Sequence, residues 1–282
     1  MSVKFTILGS GSSGNCAYVE SGETRVLVDA GFSPRQIRAR LATIGRAPEN
    51  LSAILITHEH SDHISGLFGL ADKFKIPVYC NRATQDAIAW AFKERWNRKR
   101  DPLFDGIEKN SGDFLAKLEW RLFATGDSFE LNDLLVETFQ IPHDAQDPVG
   151  FLVRAATCNF GFATDLGHTT RLVLDRIRAA NVLVLESNHD VKMLQDCPRR
   201  SWSLKQRILG RHGHLSNAAA AEAAAQIVGA ELKHIYLAHL SRECNKPELA
   251  LRVMAECLNQ IGATHVQLQF AAQDAPCGTL EL

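Results

Sequence analysis

Short apolar runs rich in β-branched residues recur along the chain, at 3–8, 24–29, 51–57, 133–141, 149–155, 159–165, 181–187 and 233–240. Their length and their glycine, proline and Asx punctuation predict strands. Helices are predicted between them, at 34–42, 63–74, 84–97, 169–180, 216–228 and 246–259. Pro34 falls in the first turn of its helix, where a missing N–H costs nothing. Ser216 precedes the alanine-rich stretch NAAAAEAAAQIV, so its hydroxyl is expected to cap that helix. The runs at 16–29 and 149–165 read as hairpins, whereas later strands are separated by helices. That order predicts mixed sheets with helices on their outer faces, an α/β architecture. No Pro/Gly/Ser-rich linker divides the chain and no tandem repeat is visible, so one continuous domain over 1–282 is expected.

Composition narrows the class. A hydrophobic content of 45% over 282 residues suffices for a large buried core. The net charge of -1 and pI near 6.8 provide no global basic field, so a nucleic-acid partner would need a local patch. The N-terminal MSVKFTILGSGSSG lacks the longer apolar core of a secretory signal, and no run reaches membrane-spanning length. A cytoplasmic location without membrane association is the expectation, and an oligomer is compatible with it. Seven scattered cysteines without a C-x-x-C fit reduced thiols, mostly small core residues.

The chemistry concentrates at strand ends. In LSAILITHEHSDH the apolar run stops at Thr57, and His58, His60, Asp62 and His63 follow in the turn into a helix. Strand ends are where α/β proteins place ligand sites. Imidazoles with a carboxylate suit zinc, and equally manganese or iron. Four donors from so short a turn cannot all reach one ion. Alternation directs His58 and His60 to one side and leaves Asp62 and His63 for a second ion. Further donors follow later strands: His143 in FQIPHD, Asp165 in FGFATDLGH and His239 in IYLAHLS. Singly, these also read as a turn histidine, a helix cap and a satisfied core histidine.

Taken together, the order of Asp29 in VLVDAG, the HEHSDH turn, His143, Asp165 and His239 resembles the metallo-β-lactamase superfamily over nearly the whole chain. The resemblance implies an αββα sandwich of two mixed sheets with a dinuclear site between them, holding two divalent ions, zinc or manganese, with iron admissible. It also implies that His58, His60 and His143 hold one ion and Asp62, His63 and His239 the other. Asp165 would bridge the two ions, and Asp29 would orient the histidine loop from behind.

Fold alone does not choose a substrate. His60, where the flavodiiron branch of that superfamily carries glutamate, favours hydrolysis over redox chemistry. The stretches VLVLESNHD, GRHGHLSNAAAAEAAAQI and YLAHLSRE look like the end of ribonuclease Z, which implies that His214 contacts the scissile phosphate or leaving group and that Glu186 steadies it. GSGSSGNC with ESNHD and GHLSN is closer to the YycJ-type family of exonuclease-like proteins. The ribonuclease Z HST is not reproduced, since Leu215 and Ser216 follow His214, and that enzyme's long arm for transfer RNA is not found.

The glycine-rich loop 9–15 leads into a strand rather than a helix, so it is no nucleotide fingerprint. Ser12, Ser13 and Asn15 are its candidate phosphate contacts. The segment 199–214 carries five Lys/Arg, no acid and one tryptophan. It makes Arg199, Arg200 and Arg211, with His189 and Ser216, candidate substrate contacts, and 90–100 is a second basic, aromatic cluster. The expected function is a metal-dependent phosphodiesterase of nuclease type with Asp62, Asp165, His214 and Glu186 in catalytic roles. DNA is favoured over RNA, and 5′-directed exonuclease action is the specific expectation. Hydrolysis of a small ester, thioester or cyclic phosphodiester in the same site is the alternative; a metal-binding scaffold without turnover is the non-catalytic rival.

Overall fold

The computed structural model describes residues 2–97 and 114–282. Among them two seven-stranded sheets lie face to face. The first contains β1 (Val3–Gly9), β2 (Cys16–Ser21), β3 (Thr24–Val28), β4 (Ala53–Leu55), β5 (Val78–Asn81) and β6 (Trp120–Phe123). The second contains β7 (Ser128–Leu131), β8 (Leu134–Gln140), β9 (Val149–Arg154), β10 (Asn159–Ala163), β11 (Val182–Glu186), β12 (His234–Ala238) and β13 (Gln267–Phe270), while β14 (Leu280–Glu281) returns to the first sheet beside β1. Each sheet is antiparallel in its earlier part and parallel in its later part: β1 to β3 and β7 to β10 are meanders, β3 to β6 and β10 to β13 run parallel.

The strands form two-sided surfaces because their residues alternate between two cores. In β11, Val182 and Val184 point between the sheets, whereas Leu183 and Leu185 point to helices. In β3, Val26 and Val28 face the partner sheet while Leu27 faces outward. A strand buried on both sides must read as a continuous apolar run, which is what made these elements visible. The outer layer on the first sheet is α1 (Pro34–Thr43), α2 (Ser61–Ile64), α3 (Leu67–Phe74) and α4 (Arg82–Asn97). Ile37, Leu41, Leu67 and Leu70 pack there against Leu27 and Ile54. Over the second sheet lie α5 (Arg171–Ile177), α8 (Asn217–Ile227) and α9 (Pro247–Gln260), with α6 (Val191–Asp196) and α7 (Trp202–Leu209) at the edge. Ala220, Ala221 and Ala224 let α8 approach Met254 and Leu258 of α9 closely. The αββα sandwich is therefore present. Each fully buried Leu, Ile, Val or Phe in these layers contributes about 1.5–3 kcal/mol.

The expected helix 63–74 is instead two pieces, α2 and α3, broken at Gly66. A Cβ there would lie 2.3 Å from the Phe32 carbonyl, and the Gly66 amide donates to Ala30 O. Tertiary contact therefore overrides local propensity at this point. Ser216 caps α8 as expected, its Oγ accepting from the Ala219 amide at 3.2 Å. Strands β5, β6, β7 and β13 and helices α6 and α7 were not anticipated. They are short, and β6, β7 and β13 are only partly buried, so they carry weak periodicity. Part of the basic cluster 90–100 lies outside the described residues.

Candidate metal centre

Six chain segments deliver side chains to one place, and each does so just past, or at, the C-terminal end of a strand: Asp29 after β3, the 57–63 turn after β4, His143 after β8, Asp165 after β10, Glu186 closing β11 and His239 after β12. Three of these residues, Asp29, Asp165 and His239, hold left-handed backbone (φ 62, 55 and 56°). That conformation is unusual for a residue with a Cβ and turns each side chain sharply off its strand.

The histidine turn is held from behind. Asp29 Oδ1 accepts from the Thr57 amide at 2.9 Å, and Oδ2 accepts from His63 Nδ1 at 2.7 Å. This leaves His63 Nε2 facing inward, where it meets Asp165 Oδ2 at 2.9 Å and Asp62 Oδ2 at 3.8 Å. His143 donates Nδ1–H to Gly213 O at 3.1 Å, which turns its Nε2 to within 3.3 Å of His60 Nδ1. His239 donates Nδ1–H to Glu186 Oε1 at 2.8 Å and points Nε2 at Asp62 Oδ2, 3.5 Å away. In each case a carboxylate or carbonyl behind the ring fixes which nitrogen is presented.

Among the described residues the donor atoms gather into four overlapping groups, those of each group lying within 4.8 Å of one another: His58, His60 and His143; Asp62, His63 and His239; His58, His63 and Asp165; and Asp165, Glu186, His214 and His239. Asp165 sits between the first two, its Oδ1 3.6 Å from His143 Nε2 and its Oδ2 against His63. His58 Nε2, His239 Nε2 and Asp165 Oδ2 are buried without a hydrogen-bond partner. Buried polar atoms are ordinarily satisfied, so these three call for a ligand. Burial pushes the His58 imidazole well below its ordinary pKa, aided by neighbouring His63, which keeps it neutral and able to donate a lone pair. Burial alone would raise Asp165, but the imidazoles of His239 and His63 hold it well below the carboxylate range. Burial likewise lowers His143, whereas at His63 and His239 burial is outweighed by the surrounding carboxylates, which raise both rings, and a cation would displace their protons. These rings, ionised carboxylates and unsatisfied inward atoms fit a pair of divalent cations.

Beside this cluster opens a cavity of about 160 Å³. His214 lines it, with Nδ1 donating to the same Glu186 Oε1 that receives His239, at 2.8 Å in both cases. Glu186 Oε2 accepts from the Leu166 and Leu215 amides at 2.7 and 3.1 Å. Burial disfavours its charge, but the His214 and His239 rings lower the carboxyl to about 2. Glu186 is fully buried, so it acts on the site through the two rings.

The other candidates are distributed unevenly. Ser12 and Arg200 line the cavity. Asn15 does not; it is buried, its Oδ1 accepting from Ser10 Oγ and the Gly11 amide and its Nδ2 lying 3.0 Å from His63 Nε2, so it ties the glycine loop to the histidine turn. Ser13 bonds Gln273, Ser216 is occupied as a helix cap, and Arg211 lies against His168. Arg199 projects outward with 74% of its side chain exposed. His189 is buried, not cleft-facing, and burial pushes it down to about 4. Sequence reasoning passed over Asp144, Asn188, Leu204, Arg207, Ile208 and Ser241, which all line the cavity. Asp144 and Asn188 adjoin residues already singled out, and the other four follow from recognising α7 and the turn after His239.

A family model described as a β-lactamase superfamily domain matches residues 24–239. Exodeoxyribonuclease YycJ of Bacillus anthracis is 38% identical over 262 residues, covering 93% of this chain and 91% of that one. Exodeoxyribonuclease WalJ of Streptococcus pneumoniae is 39% identical over 257 residues, covering 91% and 88%. Among solved structures, the metallo-β-lactamase fold protein YhfI of Bacillus subtilis superposes over 100% of this chain and 99% of its own, with TM-score 0.66 and 15% identity. With its sandwich, its ring of strand-end donors and these relatives, the chain belongs to the metallo-β-lactamase superfamily, in the branch of YycJ and WalJ.

Proposed function

We propose that this protein is a dinuclear metal-dependent DNA exonuclease, hydrolysing phosphodiester bonds. The observation that carries the reading is a donor set divided into two groups by Asp165 and opening directly onto a cavity that His214 and two arginines line. His58, His60 and His143 would hold one cation, Asp62, His63 and His239 the other, with Asp165 shared. Bound there, zinc or manganese supplies water of lowered pKa and neutralises charge on the phosphate oxygens.

The chain's own residues do the rest. Asp29, Gly213 O and Glu186 fix the presented nitrogens of His63, His143 and His239, so the donors stay aimed without substrate. His214 is oriented by Glu186 with Nε2 as its free nitrogen, suited to donating a proton to the departing oxygen or a hydrogen bond to the phosphate. Ser12 and Arg200 border the same space and can receive phosphate oxygens. The nucleic-acid assignment draws support from the named exodeoxyribonuclease relatives that cover nearly the whole chain. No helix among the described residues is long and apolar enough to cross a membrane.

The test is a cleavage panel with zinc or manganese added: end-labelled linear duplex, single-stranded DNA, RNA, closed plasmid and bis(p-nitrophenyl) phosphate. The reading predicts progressive release of nucleotides from linear DNA and an intact closed plasmid. Turnover of the small diester with no DNA digestion would contradict it.

A further inference from the structure

The cavity beside the metal cluster has one wall made by a single short element, α7 and the residue leading into it. Arg200, Leu204, Arg207 and Ile208 all line the cavity. Within α7 the last three share a helical face, because residues three and four apart lie side by side. Trp202 is on the opposite face, 67% exposed, so the aromatic of the basic segment is not turned to the site. The wall thus carries Arg200 at its start and Arg207 near its end, with Leu204 between them and Ile208 beside Arg207.

Both cations are held by carboxylates rather than lying free. Arg200 Nε donates to Glu243 Oε2 at 2.9 Å, and Arg207 Nε donates to Asp144 Oδ2 at 2.5 Å. Asp144 directly follows the ligand His143 and puts Oδ1 3.4 Å from its Nε2. The Arg207 guanidinium therefore neutralises an acid that would otherwise face an incoming phosphate at the mouth of the site. Its side chain remains 62% exposed and the Asp144 side chain 30%, so this pair is solvent-screened and readily exchanged for another anion.

We infer that the α7 wall is the subsite for the nucleotide next to the scissile bond, with its base against Leu204 and Ile208 and its flanking phosphates on Arg200 and Arg207. This rests on the nuclease reading and specifies how that site takes a single strand. Arg200 stands before the Ser201 cap and Arg207 in the last turn of α7, so the two cations come from opposite ends of this element. A strand carrying phosphates on either side of a nucleotide offers an anion to each arginine, whereas a small diester seated at the metal cluster carries only one phosphate. Bidentate guanidinium–phosphate pairs suit both arginines, and the apolar Leu204 and Ile208 tolerate any base, as a digesting enzyme requires.

The experiment compares a single-stranded DNA decamer with bis(p-nitrophenyl) phosphate, using metal-loaded wild-type protein, Arg200→Ala, Arg207→Ala and the two Arg→Lys variants across a salt series. Arg252→Ala on α9, a 67% exposed surface arginine, controls for loss of one charge. Each alanine variant is expected to lose at least about tenfold more kcat/KM on the decamer than on the small diester, chiefly through KM. The slope of log KM against log salt should fall by about 0.7 per arginine removed, and lysine should restore most of it. Equal losses on both substrates, or an unaltered salt slope, would overturn the subsite while leaving the nuclease reading intact. If wild type turns over the diester but no DNA, both fall.

Discussion

Glu186 carries four N–H donors on two oxygens: His214 and His239 on Oε1, Leu166 and Leu215 on Oε2. No neutral isostere can do this, because glutamine must turn an NH₂ against one of the two pairs. Glu186→Gln is therefore expected to cost about 1–3 kcal/mol of stability, read from denaturant unfolding, and to reduce DNA cleavage about 10- to 100-fold. Asp29 presents a parallel case, since it fixes the tautomer of His63. Asp29→Asn should weaken metal affinity about 10- to 100-fold with the fold retained, measured by competition with a chromogenic chelator. The donors after strands β4, β8, β10 and β12 were legible in the sequence because each interrupts an apolar run with a metal-seeking side chain, and Asp29 after β3 was legible through the family resemblance. Arg207 and Asp144 were not, because an exposed arginine and an acid beside a histidine carry no periodic signal until α7 is placed.

At the scale of elements, the site depends on how closely the loop after β3 passes the histidine turn. The Gly31 amide donates to Asn15 O, and a Cβ on Gly31 would stand 1.6 Å from Asp62 O. Gly31→Ala must push the turn aside, and a loss of about 3 kcal/mol or more with failure to bind metal is expected from calorimetry and metal titration. Far from the centre, Glu20 on β2 joins Tyr18, Arg46 and Arg25. Burial would raise its carboxyl, but the hydrogen bonds from Arg46 and Tyr18 outweigh that and hold it below its ordinary 4.5. A carboxylate lowered by folding adds stability above its unfolded pKa, and the gain fades as pH falls through the folded value. The melting-temperature gap between wild type and Glu20→Gln should accordingly be largest near neutrality and shrink below about pH 4. Elements buried on two faces, such as β3, β4 and β11, were readable from their continuous apolar runs. Half-exposed β6, β7 and β13 and the short α6 and α7 were not, because their order comes from pairing and packing rather than from local pattern.

For the molecule as a whole, each sheet passes from an antiparallel to a parallel half. The parallel strands β3, β4, β10, β11 and β12 deliver their C-terminal ends to one common edge, the position where α/β sheets bind ligands. Charge is deployed locally as well: with a net charge of -1, the proposed nucleic-acid substrate would have to be drawn by bound cations and the α7 arginines. Cation stoichiometry therefore tests the proposed dinuclear centre most directly. Protein stripped with chelator and titrated with manganese should regain DNA hydrolysis in proportion to metal bound, reaching its plateau at two ions per chain. DNA hydrolysis that persists in the stripped protein, or a plateau reached with one ion, would contradict a dinuclear centre.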